Sequence, residues 1–256
     1  MRQHSDTNAA QKVLRLLRVL SAPQPQRLTD IAEASGVNKA TALRLLESMM
    51  AEGFVVRDEA TRRYVLGDEA LTLGIAMQGR DHIRERARPG LLRLAALSGD
   101  TLLLSVRSGI DSVCIDREFG SFPIRASYLE VGMRRPLGVG AGSLALLSWL
   151  PDHEVDAMLD LIAPTLKKHH PRISVDLLRQ EVAASRQRGY ALLLDVVVDQ
   201  MGGVAVPVFG SDGRPLAAVS IAALSTRIAP RLQILAPALR KVGDELSAHY
   251  LQKDAA

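Results

Sequence analysis

The chain has 256 residues, a hydrophobic content of 47%, a charged content of 23% and a net charge of +4. This is the balance of a globular protein long enough for two domains, and no apolar run approaches the roughly 18 residues of a membrane span. The N-terminal residues MRQHSDTNAAQK lack a signal-peptide apolar segment, and a single cysteine, Cys114, excludes an intramolecular disulfide, so a cytoplasmic protein is expected.

The N-terminal third of the chain has the pattern of a small helical domain. Residues 7–21 have the spacing of an amphipathic helix. The segment from Leu28 to Gly53 then predicts a short helix, a tight turn and a longer helix. Gly36 supplies the backbone conformation for the turn, and Asn38 stands where an N-cap side chain is needed.

The second helix of this pair has one apolar side and one exposed side. Its buried residues are predicted to be Ala42, Leu45, Leu46 and Met49, whereas the opposite side is small and partly cationic near the helix start. Such a surface can enter the major groove of DNA, so a helix-turn-helix is predicted. Taken alone, the segment also fits an ordinary helical hairpin. The predicted DNA contacts are Thr29, Asn38, Lys39, Ala40, Thr41, Leu43 and Arg44.

Two short β segments follow, Phe54–Val56 and Arg63–Leu66, with a polar turn between them. They predict the hairpin of a winged helix, which lowers the weight of the helical-hairpin alternative. Arg57, Arg62 and Arg63 are predicted to meet DNA phosphates. The net charge is +2 in residues 1–80 and +2 in the remainder, so this prediction depends on local placement of arginines and not on bulk charge.

A further helix, from Asp68 to about Gln78, is apolar on more than one side. Leu71, Leu73, Ile75 and Met77 therefore predict a surface that needs a partner, such as the same helix of a second subunit. The predicted domains are a winged helix-turn-helix domain over residues 1–67, a linker helix over 68–81 and a second domain over 82–256.

The second domain has the pattern of an α+β fold built on a mainly antiparallel sheet. Its predicted elements, in chain order, are a helix over 82–98, strands near 101–107 and 111–118, β structure at 124–126 and 129–133, a helix ending at Leu150, a helix over 174–188, strands over 191–198, 203–209 and 215–223, and a helix over 230–250.

The segment PLGVGAGS, from Pro136 to Ser143, is the main candidate for a ligand loop. Its glycines do not form a dinucleotide-binding motif, because Ser143 stands where GxGxxG requires glycine. Two interpretations stay open: the glycines allow close packing on the sheet, or the loop binds an anion at the start of a helix. The histidines have no metal-ligand spacing, and neither a metal nor a cofactor is expected.

The whole pattern resembles the IclR family of transcriptional regulators. The resemblance is carried by LTDIAEASGVNKATALRLLESMMAEGFV, the wing RDEATRRYVLG, and, in the second domain, RPLGVGAGSLALL, RQRGYAL, GGVAVPVF and GRPLAAVSI. It implies a winged-helix DNA-binding domain, a linker helix used in dimerisation and a GAF-like effector domain. It also implies a homodimer or homotetramer on a pseudo-palindromic operator.

The resemblance further implies an effector pocket between the glycine loop and two strands. The implied effector residues are Gly140, Ala141, Gly142, Ser143, Asp195, Gly203 and Ser220. The apolar segments Leu192–Leu194 and Val196–Val198 are expected to line the rest. An organic or aromatic carboxylic acid is the expected effector.

Two classes of function are consistent with these features. One is a transcription factor whose operator binding responds to a small acid. The alternative is an enzyme with an accessory winged helix, its centre formed by Ser143, Asp195 and Ser220. A regulator would bind candidate acids without consuming them, so a turnover assay separates the two.

Overall fold

The computed structural model of the protein describes residues 8–22, 24, 26–77, 83–126 and 129–253. The chain divides after His82 into two compact units. The predicted boundary at residues 79–81 lies outside the described residues. In the described part of the chain, no helix is long and apolar enough to cross a membrane.

The first unit contains four helices and a two-stranded hairpin among its described residues. They are α1 (Ala9–Leu20), α2 (Leu28–Ser35), α3 (Lys39–Ala51), β1 (Val55–Arg57), β2 (Tyr64–Leu66) and α4 (Asp68–Met77). The core joins α1, α2, α3 and the hairpin through the fully buried side chains of Leu16, Ile31, Leu46 and Tyr64. This arrangement confirms the predicted winged helix-turn-helix.

The turn between α2 and α3 is held by local hydrogen bonds. Gly36 has a φ of 66°, in the left-handed region that glycine enters without steric cost. The Val37 N–H then donates to the Ala32 carbonyl oxygen over 3.1 Å, which closes the end of α2. The Asn38 side chain accepts from the Thr41 N–H over 2.8 Å, which confirms its predicted N-cap role.

The second unit is built on a six-stranded antiparallel sheet with the order β5-β4-β3-β8-β7-β6. The strands are β3 (Thr101–Ser108), β4 (Asp111–Phe119), β5 (Arg134–Pro136), β6 (Ala191–Leu194), β7 (Met201–Phe209) and β8 (Pro215–Leu224). The helices are α5 (Ile83–Ser98), α6 (Ala141–Ser148), α7 (Asp152–His169), α8 (Val175–Arg188), α9 (Ser225–Ile228) and α10 (Leu232–Lys253).

Helices cover both faces of this sheet. Because side chains alternate along a strand, Val204 and Val206 of β7 face the core formed with α5 and α10, whereas Ala205 faces the core formed with α6, α7 and α8. The second face carries small residues, including Gly203 and Ser220, where α6 crosses the strands. The predicted α+β class is confirmed, and the small residues allow α6 to approach the sheet closely.

Three parts of the second unit differ from the predicted elements. The strand predicted over 191–198 ends at Leu194, because the left-handed backbone of Asp195, with a φ of 61°, interrupts it. The helix α7 is absent from the prediction, although Val155, Leu159, Ile162 and Leu166 form its buried stripe. The predicted β structure at 124–126 and 129–133 is not present, because a turn with Gly132 at φ 90° interrupts the chain before β5. The short β5 is therefore the part of this segment that joins the sheet.

Candidate DNA-contact surface and ligand cavity

The N-terminal half of α3 presents an exposed, cationic surface. Lys39, Ala40 and Arg44 are exposed, whereas Thr41 and Leu43 are half-buried. Asn38 is also exposed, but its side-chain oxygen is already engaged as the N-cap. On α2, the hydroxyl of exposed Thr29 donates to Asp30 Oδ1 over 3.2 Å. Lys39 and Arg44 are thus the longest donors this face of α3 offers to DNA.

The three wing arginines occupy different environments. Arg62 is exposed at the tip and has a φ of 54°, while Arg63 is half-buried. Arg57 lies on β1, with its guanidinium carbon 5.4 Å from the centroid of the Tyr64 ring. Stacking on the ring holds Arg57 close to the hairpin, so Arg62 is the wing cation that projects most freely.

The conformation of the wing tip depends on Asp58. Its carboxylate accepts from the Thr61 N–H over 2.6 Å and from the Thr61 hydroxyl over 2.7 Å. These two bonds hold the pKa of Asp58 below its usual value. The Arg62 N–H donates to the Asp58 carbonyl oxygen over 2.8 Å, which supports the left-handed backbone at Arg62. Hydrogen bonds among Asp58, Thr61 and Arg62 therefore fix the conformation of the tip.

In the second unit, a cavity lies between the start of α6 and the sheet. Six of the seven predicted effector residues line it, namely Gly140, Ala141, Gly142, Ser143, Gly203 and Ser220. The volume of the cavity is about 50 Å³, several times the roughly 10–15 Å³ that one water molecule needs. The cavity therefore has room for a compact ligand.

The glycines bring α6 close to the sheet. A Cβ placed on Gly142 would lie 3.1 Å from Ser220 Oγ, and one placed on Gly203 would lie 3.0 Å from the Ala141 Cβ. At Gly142, this geometry supports the interpretation that a loop glycine allows close packing on the sheet. Because the same residues line the cavity, packing and ligand binding are compatible functions of the loop.

The serines around the cavity differ in how their hydroxyl groups are used. Ser143 Oγ donates to the Pro136 carbonyl oxygen over 2.9 Å, so its proton already forms a hydrogen bond within the loop. Ser220 Oγ donates to the Leu103 carbonyl oxygen over 3.5 Å, a long bond that a better acceptor can replace. Ser105 and Ser112 also line the cavity and are absent from the predicted set.

Asp195, the seventh predicted effector residue, is exposed and outside the cavity lining. Its backbone is left-handed, with a φ of 61°, where β6 ends, and its Oδ1 accepts from the Ser225 hydroxyl over 2.8 Å. The carboxylate therefore fixes the start of α9. The enzyme alternative builds its centre from Ser143, Asp195 and Ser220, and Asp195 does not line the cavity that the two serines share.

The apolar wall of the cavity includes half of the residues expected there. Leu193, Val197 and Val198 line it, whereas Leu192 and Leu194 pack on the opposite face of the sheet and Val196 packs in the core with α6. Because side chains alternate along a strand, Leu192 and Leu194 of β6 project away from the cavity and Leu193 projects towards it. The remaining large or medium apolar residues of the lining are Leu103, Leu129, Val139, Met201, Ile221 and Ala222.

Arg135 and Cys114 line the cavity as well, and neither is in the predicted set. Burial raises the pKa of the Cys114 thiol to about 11, although the guanidinium groups of Arg117 and Arg135 favour the thiolate. The thiol is thus a neutral part of the wall, and Arg135 is its charged part.

Comparison with known proteins identifies both units. The model of the IclR helix-turn-helix domain matches residues 9–59, and the model of the C-terminal region of the bacterial transcriptional regulator IclR matches residues 76–248. The transcriptional regulator XynR of Escherichia coli K12 is 29% identical over 222 residues, which cover 85% of this chain and 88% of XynR. KdgR of the same organism is 26% identical over 254 residues, covering 97% and 96%.

Solved structures agree with this assignment. An IclR transcriptional regulator from Silicibacter sp. TM1040 is 28% identical and superimposes with a TM-score of 0.81, covering 95% of this chain and 96% of its own. An IclR homologue from Microbacterium hydrocarbonoxydans, complexed with 4-hydroxybenzoate, is 21% identical with a TM-score of 0.71, covering 94% and 100%. The C-terminal family model alone spans more than half of the sequence, and the chain therefore belongs to the IclR family of bacterial transcriptional regulators, with an N-terminal helix-turn-helix DNA-binding domain.

Proposed function

We propose that this regulator binds a pseudo-palindromic operator through α3 and the wing, and that a small organic acid in the cavity of the second unit modulates this binding. The observation that carries the proposal is the cavity itself. It joins the glycine loop, small strand residues and hydroxyl groups in one apolar site next to a helix start. Sites with these properties suit a compact acid with an apolar body.

In the proposed DNA complex, α3 lies in the major groove and the wing arginines contact the backbone. Arg44 is the candidate for contact with base edges, because arginine forms bidentate hydrogen bonds with guanine. Lys39, at the first position of α3, is the candidate for contact with a phosphate. Thr29, Ala40, Thr41 and Leu43 complete the proposed surface.

The DNA-binding proposal is tested with two substitutions of different expected effect. The operator is first selected by the purified protein from a random DNA pool. We then expect Arg44→Ala to weaken binding to it by roughly 1–3 kcal/mol and to relax the base preference at one position. Lys39→Ala should weaken binding to all sequences about equally and lower the salt slope by about 1. Both are measured by gel-shift titration at several salt concentrations.

The control is Arg179→Ala, which removes an exposed arginine that pairs with Asp156 in the second unit. This variant should bind the operator like the unmodified protein. If Arg44→Ala retains both the affinity and the base preference, α3 is not the element that recognises the operator.

The effector proposal has its own test. A panel of carboxylic acids that includes 4-hydroxybenzoate is titrated calorimetrically into the full chain. We expect Ser220→Ala to weaken binding of the best acid about tenfold, because one hydrogen bond to a charged group is lost. The matched control is Ser148→Ala, since Ser148 is buried on α6 and donates to the Leu144 carbonyl oxygen. Equal binding by both variants would place the effector elsewhere.

A further inference from the structure

The cavity has an asymmetric distribution of charge. Among the described residues that line it, Arg135 carries a permanent positive charge and none is an aspartate or a glutamate. A half-buried guanidinium in an otherwise neutral, largely apolar site favours an anion there, because burial strengthens the interaction between opposite charges.

The register of the sheet directs Arg135 towards the cavity. Arg135 of β5 is paired with Ser112 of β4, and residues directly opposite in antiparallel strands project from the same face. Ser112 lines the cavity, as does Cys114 two residues further along β4. The guanidinium therefore shares a face of the sheet with the other polar groups of the site.

The guanidinium also reaches the start of α6. A Cβ placed on Gly140 would lie 3.8 Å from Arg135 Nη1. Gly140 has a φ of 101°, so it favours glycine and leaves this approach without a side chain. An anion bound between Arg135 and the first turn of α6 would meet a full positive charge and the positive end of a helix.

The neighbouring Arg134 has a different environment. It is paired with Val113, on the other face of the sheet. Its Nε donates to Asp111 Oδ2 over 3.3 Å, and its Nη2 donates to the Ser108 hydroxyl over 2.9 Å. Arg134 thus interacts with a carboxylate on the other face of the sheet and outside the cavity lining, and it provides a matched control for Arg135.

We propose that Arg135 determines the charge of the ligand: its guanidinium binds the carboxylate of the effector and makes the cavity selective for acids over neutral molecules of the same shape. This inference rests on the proposed effector site and goes beyond it, because it assigns acid selectivity to one residue. The hydroxyl groups of Ser105, Ser112 and Ser220 then provide the neutral donors near that carboxylate.

The test compares each acid with its neutral isostere. Benzoate, 4-hydroxybenzoate and a set of small aliphatic acids are each paired with the corresponding primary amide, and binding to the full chain is measured by thermal denaturation and then by calorimetry. The unmodified protein should bind each acid more tightly than the corresponding amide. Arg135→Gln should weaken acid binding between tenfold and a hundredfold, by loss of a charged hydrogen-bonding partner, and should leave amide binding unchanged.

Two further variants separate a specific effect from a structural one. Arg134→Gln should keep the preference for acids. Arg135→Lys should restore part of it, since lysine keeps the charge and loses the planar fork. Circular dichroism and operator binding without ligand verify that each variant is folded.

The possible outcomes are distinct. If acids and amides bind the unmodified protein equally, or if Arg135→Gln keeps the acid preference, the charge selection is overturned while the effector site stands. If no acid or amide binds at all, the proposed effector site fails, and this inference fails with it.

Discussion

At the scale of single residues, Cys114 shows how the second unit controls the chemistry of a reactive side chain. Its thiol is 1% exposed, and its Sγ donates to the Asp116 carbonyl oxygen over 3.4 Å. Burial raises its pKa to about 11 in spite of nearby arginines. Because the thiolate is the nucleophile, a thiol that stays protonated and buried is inert at neutral pH.

This environment predicts slow alkylation of the folded protein. At pH 8 a thiol with a pKa of about 11 is ionised to about one part in a thousand, against about a quarter for a free cysteine. Iodoacetamide should therefore react more than a hundredfold more slowly with the folded chain than with the chain in denaturant. Mass spectrometry gives an unambiguous result because Cys114 is the single cysteine. Equal rates in both states would show that the thiol is not buried in solution.

Other residue environments could not be predicted from the sequence. Arg134 and Arg135 are adjacent and chemically identical, and only the β4–β5 register directs one to Asp111 and the other to the cavity. Asp195 was expected in the site, but its left-handed backbone ends the alternation of β6. By contrast, the N-cap role of Asn38 depends on local chemistry, and the sequence predicted it correctly.

At the scale of elements, local sequence patterns predict the helices and strands of the first unit well and those of the second unit less completely. Gly36 is a clear end signal for α2, Asn38 is a clear start signal for α3, and the wing has a polar turn between β segments. Helix α7 has an equally regular apolar stripe, but Pro164 stands within it. Proline usually interrupts a helix, which conceals the continuity of α7 in the sequence.

The helix α4 is the element whose surface most needs a partner. Leu71, Leu73 and Ile75 are exposed by 62%, 58% and 54% of their surface. A ten-residue helix is marginally stable in water by itself, and exposed leucines add a hydrophobic driving force for association. These properties favour α4 as part of a subunit interface.

Introducing negative charges on the apolar surface of α4 should therefore dissociate the oligomer into smaller species. Leu71 and Ile75 are four residues apart and lie on the same side of the helix. We expect the protein to be a dimer or tetramer at micromolar concentration and the variant Leu71→Glu with Ile75→Glu to have a lower mass by light scattering. Thr72→Gln, a change at an exposed position of the same helix, should keep the mass of the unmodified protein. A monomeric unmodified protein would contradict the prediction.

At the scale of the whole molecule, the proposed operator site and the proposed effector cavity lie in different compact units of the chain. An acid that binds the DNA-competent and incompetent forms equally cannot change DNA affinity, however tightly it binds. Regulation thus requires a free energy of coupling between the two sites. Such couplings are typically about 1–3 kcal/mol, or about 5- to 150-fold in affinity.

The coupling between the operator site and the effector cavity should be reciprocal. Saturation with the best acid should change the operator affinity, measured by fluorescence anisotropy, by a factor within that range. Saturation with the operator should change the acid affinity, measured by calorimetry, by the same factor, because the two paths close one thermodynamic cycle.

The operator used should be an inverted repeat with half-sites a whole number of helical turns apart, each turn about 10–10.5 base pairs. An added acid that merely raises the ionic strength would weaken DNA binding without any matching effect of the operator on acid binding. Unequal factors would therefore contradict allosteric control by the cavity, even if both ligands bind.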